Sequence, residues 1–405
     1  LILLFVTCTM PEAFDQPKTI RFGKYILADN VMSCLIRSQL APARTLTISE
    51  FRHEYPESCR LVQVKDPVCV DSFCFDSWTE DEQLSVSHLP EKEIPATSVL
   101  IVPSGRIVGR KGDVDVPGAD VRLRYSKDLS QEAACFARTI RFGRLNPRFW
   151  KRVAENSLRQ RFVPPVSRCS GRVAVLNCEG SHNYFHWIAE VLPRLWTLLQ
   201  SGEQADWYVA DCYSRWQRAS LAALGVPLDS VIQPHATFHL EADELLVPSL
   251  QATQAIPPMA QELAKGLGLQ DANGDEQKRL IYIERAHSRR PVNANEFSAW
   301  RRQHGFDDVW LEDMSFGEQI ALFRQAKIVL GVHGAGLTNI IHCRPGTLVV
   351  EFMPAGLNRP CYPVLSQLFN LHHVMINSPR AGRRHGIQVS ISVLDQILEK
   401  FREPS

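Results

Sequence analysis

The chain has 405 residues, room for two domains with full cores, and its 45% apolar and 22% charged content is ordinary for a folded globular protein. Forty-five Lys and Arg against 44 Asp and Glu leave no net basic pull, which argues against nucleic acid as a partner. The 11 cysteines are odd in number and scattered, with no C-x-x-C pair, so they suit reduced thiols in a cytosolic setting better than a zinc site or a disulfide framework.

The chain opens on Leu1–Val6, six apolar residues that are too few to span a bilayer and that read as a buried strand. Residues 1–150 are broken by Pro and Gly into short alternating runs, such as Thr19–Leu27, Ser98–Val102 and Val121–Tyr125, and predict a β-rich N-terminal portion packed on the first lobe. Asp113 and Asp115 form a D-x-D, but the flanking Lys111-Gly112 and Pro117-Gly118 favour a solvated turn over a metal site. From Arg172 strands alternate with helices: Val173–Leu176, the helix Tyr184–Gln200 with a kink at Pro193, Trp207–Ala210, the helix Ser214–Leu224, then Val231–Gln233 and Glu244–Val247. A polar break at Asp271–Gln277 separates this first Rossmann-like lobe, 151–270, from a second, 278–388. The second runs through strand Leu280–Glu284, a loop holding Arg285, His287, Arg289 and Arg290, the helix from Glu296 to His304 and strand Val309–Leu311. The capping box Ser315-Phe-Gly-Glu318 then opens a helix, strand Ile328–Val332 follows, and a last strand is Leu348–Phe352. The C-terminal helix, Val393–Phe401 within 389–405, is expected to be capped by Ser392 with Asp395 at its third position. Two such lobes facing across a cleft make the α/β architecture called GT-B, used by one large class of nucleotide-sugar transferases.

Between Val332 and Leu337 lies His333-Gly334-Ala335-Gly336, a Gly-rich turn between a buried strand and a helical segment. Such a turn lets backbone N–H groups reach an anion, although its spacing is not the dinucleotide fingerprint. Arg285 and Arg290 follow the end of another strand, and guanidinium forks match phosphate geometry; a solvated basic loop is the plainer alternative. Thr338 and Asn339 fall in the first turn after the Gly loop, and Glu351, at the end of its strand, either accepts from ribose or sugar hydroxyls or is a helix-pairing carboxylate. In the first lobe His186 and Glu190 share a helix face at i,i+4, as an acceptor base and its orienting partner, unless His186 only caps or packs. His182, His186 and Glu190 would line up as metal ligands on a regular helix, but His182 belongs to the preceding loop, so no metal is assigned.

Four stretches resemble glycosyltransferase family 61: Asn183-Tyr-Phe-His-Trp-Ile-Ala-Glu-Val-Leu-Pro-Arg194; Tyr282-Ile-Glu-Arg285 with Arg290 and Asn295-Glu296; Met314-Ser-Phe-Gly-Glu-Gln319; and Val332-His-Gly-Ala-Gly-Leu-Thr-Asn339. The resemblance runs over about residues 97–375 in the family's motif order. It implies a GT-B fold, an inverting mechanism, a UDP-sugar donor and no required metal or other cofactor. By position it implies that Arg285, Arg290 and His333–Gly336 hold the diphosphate, that Thr338, Asn339 and Glu318 line or brace that site, and that His186 and Glu190 face the acceptor, Glu190 slightly preferred as base. Glu284 departs from the serine the family often has there, and residues 1–96 match no family pattern. The sequence reading is thus an inverting transferase of the bacterial capsular or lipopolysaccharide type, cytoplasmic or docked at the inner membrane face, building a surface glycan. A non-catalytic nucleotide-sugar-binding protein of a polysaccharide assembly system is the alternative.

Overall fold

A computed structural model of the chain describes residues 39–402, apart from 41, 43, 47, 80, 82, 124–161, 236, 250–252, 270–277, 287, 358 and 382–385. The expected strand Thr19–Leu27, the polar break 271–277 and His287 lie outside the described residues. In chain order the elements that build the site are β1 (Phe73–Trp78), β2 (Leu84–Leu89), β3 (Thr97–Pro103) and β4 (Ser167–Val175). The long helix α1 follows in three pieces, Tyr184–His186, Trp187–Val191 and Leu192–Gln200. Then come β5 (Trp207–Val209), α2 (Arg215–Ala223), β6 (Val231–Ile232), β7 (His239–Pro248) and α3 (Ile256–Gly266). The second half holds β8 (Arg279–Ile283), α4 (Ala294–Gln303), β9 (Asp307–Val309), α5 (Phe316–Arg324), β10 (Ala326–Val332), a 3₁₀ helix (Ala335–His342), β11 (Leu348–Pro354), α6 (Cys361–Leu368), β12 (His372–Ser378) and α7 (Ile391–Arg402).

Two main sheets result. The ten-stranded sheet carries β6-β5-β4-β7 in parallel and continues antiparallel through Arg106–Val108 and β3, both on β7. The seven-stranded sheet has the order β9-β8-β10-β11-β12-β1-β2, parallel as far as β1. β11 is buried at all seven positions and β10 at six of seven, as near-continuous apolar runs covered on both faces must be. The helical faces of the two sheets share one core: Leu176, Trp187, Val191 and Leu195 belong to the same buried cluster as Ile283, Ile320, Leu337 and Val349.

Several expectations shift. The N-terminal portion divides between the sheets: β3 joins the first, while the hairpin β1–β2 extends the second, where Trp78 is buried in its core. Asp113 and Asp115 lie in a strand, Asp113–Val116, instead of a turn. Asp115 is buried and paired with Arg122, whose Nε and Nη2 donate to its two oxygens at 2.5 and 2.8 Å. β9 ends at Val309, two residues earlier than expected, because Leu311 begins a 3₁₀ turn leading to the Ser315 cap. α7 starts at Ile391, and Ser390 caps it by accepting from Val393 N at 3.3 Å, so Ser392 and Asp395 fall inside the helix. Among the described residues no helix is long and apolar enough to cross a membrane.

Candidate active site

The Gly loop and the arginine loop both follow the carboxyl ends of neighbouring parallel strands, β10 and β8. Gly334 is extended, and a Cβ there would collide with Arg285 Nη1, so the missing side chain is what lets the guanidinium lie on the loop. Tyr362 donates its hydroxyl to Gly334 O at 2.6 Å, and Arg289 donates to His333 O at 2.5 Å. Arg289 holds a left-handed backbone, φ 59°, to make that reach. Arg290 is exposed, and its carbonyl accepts from Ile387 N at 3.2 Å as part of a small strand contact.

Beyond the loop the chain dives inward. Leu337 to His342 are all buried, so only Gly334, Ala335 and Gly336 of this helical turn stay within reach of a ligand. Thr338 and Asn339 were the natural anion partners by spacing, but Thr338 is fully buried and the Asn339 amide is engaged by protein groups. Asn339 accepts from Tyr184 Oη at 2.6 Å and donates to Gln319 Oε1 at 3.1 Å and to Gly336 O at 3.3 Å. Gln319 in turn donates to Leu311 O at 2.8 Å. Tyr184 begins α1 of the first half, so this chain of amides ties that helix to the Gly loop. Glu318 is also redirected: its carboxylate accepts from Ser315 N at 2.7 Å, closing the capping box, and hydrogen bonding with the Ser315 side chain and then its backbone holds it below the usual carboxylate range.

Glu351, read as a hydroxyl acceptor, has no exposed surface. One of its oxygens lies 2.5 Å from His333 Nδ1 and the other 3.2 Å from His373 Nε2. Burial pushes its carboxyl up, but the hydrogen bonds from His333 and His373 outweigh that and hold it below the usual range. His373 Nδ1 pairs with Ser366 Oγ at 2.9 Å.

On the facing helix α1, Asn183 caps by accepting from Phe185 N at 2.9 Å. Pro193 brings no N–H and crowds the preceding turn, and the helix answers with a wide turn over Trp187–Val191, in which Leu192 N bonds Trp187 O. His186 Nδ1 lies 2.9 Å from Glu190 Oε2, and both side chains are about a quarter exposed, at 26% and 23%. The Cys178 thiol approaches the same oxygen at 3.5 Å. Gly180, at φ 87°, has the His186 ring resting on it: a Cβ there would come within 2.7 Å of Cδ2. His182 is exposed in the turn before the helix, apart from this pair. Ring contacts run from His186 to Phe185 (5.4 Å), from Phe185 to Tyr362 (5.9 Å) and from Tyr362 to His333 (5.2 Å), so the two clusters are neighbours across the crevice.

Arg285, His333, the Gly loop, His186 and Glu190 are therefore brought together, while Thr338, Asn339 and Glu351 are buried behind them and the exposed Glu318 caps α5. Glu284 is held by Arg301 at 2.9 Å, and Arg301 lies over the Tyr282 ring at 4.1 Å, so this departure from the family serine is absorbed away from the Gly loop. Sequence reasoning missed Tyr184, Tyr362, His373 and Gln319. Tyr184 and Gln319 stand inside the quoted motifs and were legible as motif members; Tyr362 and His373 carry no local signal.

Residues 184–350 match the family model described as Glycosyltransferase 61. A "Beta-1,2-xylosyltransferase RCN11" of Oryza sativa subsp. japonica is 33% identical over 88 residues, 22% of this chain and 16% of that protein. A "Beta-1,2-xylosyltransferase" of Arabidopsis thaliana is 32% identical over 66 residues, 16% of this chain and 12% of that protein. The chain thus covers under a fifth of the length of either relative. Both are plant xylosyltransferases by name, where the resemblance had pointed to the bacterial capsular type. The segment that carries Glu190, Arg285 and the Gly loop is similar to glycosyltransferase family 61, and that match supports a glycosyltransferase.

Proposed function

We propose that the chain is an inverting glycosyltransferase of GT-B architecture that moves a sugar from a UDP-sugar to a hydroxyl of a glycan without a required metal. The observation that carries this reading is the Arg285 guanidinium lying on Gly334 at the head of a helical turn, opposite the His186–Glu190 pair. A diphosphate leaving group needs its charge neutralised, and one fork plus the first N–H groups of a helical turn do this without a cation. Ala335 and Gly336 are the residues whose N–H groups stand there. Glu190 takes the proton of the acceptor hydroxyl while His186 orients it. The freed oxygen forms its bond to the anomeric carbon from the face opposite the nucleotide. The bond from that carbon to the diphosphate oxygen breaks, and its electron pair leaves with UDP onto Arg285 and the loop.

The xylosyltransferase names favour a pentosyl donor, UDP-xylose, and a glycan acceptor; capsular or lipopolysaccharide oligosaccharides are the other acceptor class to offer. A cytosolic position beside lipid-linked glycans agrees with the scattered cysteines. The test is a thermal-shift panel of UDP, GDP, CMP and UDP-sugars with and without EDTA, followed by transfer assays on both acceptor classes. Stabilisation by UDP in EDTA, with transfer lost at least about 100-fold in Arg285→Ala while the melting curve is kept, is the expected result. UDP binding with no turnover on any acceptor would favour the non-catalytic reading, and no response to any nucleotide would overturn both.

A further inference from the structure

We infer that Glu351, His373 and Ser366 form a buried relay of positioning residues whose task is to fix the His333 ring at the edge of the donor site; this rests on the transferase reading above. The relay crosses three elements. His333 directly follows β10, Glu351 is on β11, His373 is on β12 and Ser366 is on α6. Glu351 and His373 side chains have no exposed surface, and His333 keeps 7%. A buried carboxylate is costly unless both oxygens are satisfied, and here each oxygen meets one imidazole nitrogen.

The geometry sets the protons. A carboxylate accepts only, so His373 Nε2 must carry hydrogen toward Glu351, which makes its Nδ1 the acceptor of the Ser366 hydroxyl. By the same rule His333 Nδ1 carries hydrogen toward the other Glu351 oxygen. The remaining nitrogen of His333, Nε2, belongs to the ring that stands beside Gly334, where Arg285 lies. The ring is fixed in the remaining direction by the edge of Tyr362 at 5.2 Å, and the His333 carbonyl is fixed by Arg289. Phe75 of β1 closes the far side, edge-on to His373 at 5.7 Å. A buried carboxylate with an imidazole on each oxygen, one of them His333 next to the Gly loop, is more than packing would require: apolar residues would fill the same space more cheaply. A carboxylate behind an imidazole holds its tautomer and aim, as in hydrolytic triads.

His373→Gln and His373→Leu separate the roles. Gln keeps an N–H for Glu351, while Leu keeps the volume and loses the donor. The relay predicts that Gln retains kcat within about threefold and Leu lowers it by about 10- to 100-fold, the usual weight of a carboxylate behind a working histidine. UDP affinity, read by calorimetric titration, should change less than kcat in both. Glu351→Gln should match His373→Leu, and circular dichroism with thermal melting checks that each variant is folded. Equal kcat for the Gln and Leu variants, or a loss confined to KM, would overturn the relay. If the wild-type chain transfers no sugar, the transferase reading fails first, and that outcome is seen before any variant is made.

Discussion

Gly334 shows how one missing side chain decides what the site can hold. Its backbone is extended, φ 171°, which any residue can adopt, so a substitution there brings no backbone strain. The cost falls wholly on Arg285, whose Nη1 occupies the space a Cβ would need. Gly334→Ala should therefore leave the melting temperature nearly unchanged, within about 1 kcal/mol of stability as for surface changes, while displacing the guanidinium. UDP affinity should fall by at least about tenfold, the worth of about 1.4 kcal/mol from a charge-assisted contact. Titration calorimetry on the two proteins decides it, and an unchanged affinity would remove Arg285 from the diphosphate site. The same position shows the limit of reading residues singly. The Gly loop and Arg285 were legible because a strand end and a Gly-rich turn state their own geometry. Glu351 was misread because its partners, His333 and His373, lie 18 and 22 positions away, and only the register of β11 on β12 brings the second beside it.

At the scale of the element, the 3₁₀ helix Ala335–His342 presents two residues to the crevice, Ala335 and Gly336, and buries the rest. Apolar spacing predicted a helical segment here, but not that its polar members face inward. Thr338, Asn339 and His342 satisfy no simple pattern and are placed by what they pack against. His342 is the costly one: burial, then the nearby charge of Arg324, pushes its imidazole down to about 3. The folded state thus keeps it neutral while the unfolded chain protonates near pH 6.5. A His whose folded value is depressed contributes stability that is present above the unfolded value and lost as pH falls toward the folded one. Between about pH 6 and 4 the wild type should lose stability at up to roughly 1.4 kcal/mol per pH unit from this group. Urea titrations of the wild type and His342→Phe across that window are the check: the variant should show the shallower decline, and parallel slopes would count against a buried neutral imidazole. The helix α1 carries a similar lesson. Pro193 announced a kink, but the wide turn over Trp187–Val191 that sets Glu190 beside His186 follows from how the chain relieves the lost bond, which sequence spacing does not encode.

For the whole molecule, alternating strands and helices made the parallel core of each sheet legible, β6-β5-β4-β7 in one and β9-β8-β10-β11-β12 in the other, but not the antiparallel strands that extend both. The destination of the hairpin β1–β2 was not legible, since an edge strand chooses its sheet by which flank is open, and β12 offered one to β1. Nor did the sequence announce how firmly the halves are joined. Their helical faces share one buried cluster, and Tyr184, partly buried against it, donates across the junction to Asn339. Asn339 has no spare solvent to replace that donor, so removing the hydroxyl leaves a buried carbonyl oxygen unsatisfied. Tyr184→Phe should then cost about 1–3 kcal/mol, the desolvation of that group, with little change in packed volume. Because one core spans both sheets, the loss should appear as a shift of a single cooperative transition, not as early melting of one half. Denaturant unfolding followed by tryptophan fluorescence and far-ultraviolet circular dichroism tests both statements. Coincident curves shifted together support a latch within one folding unit. Curves that separate in the variant would mean that each sheet folds on its own, and the crevice between them would then owe its geometry to ligand instead of to the chain.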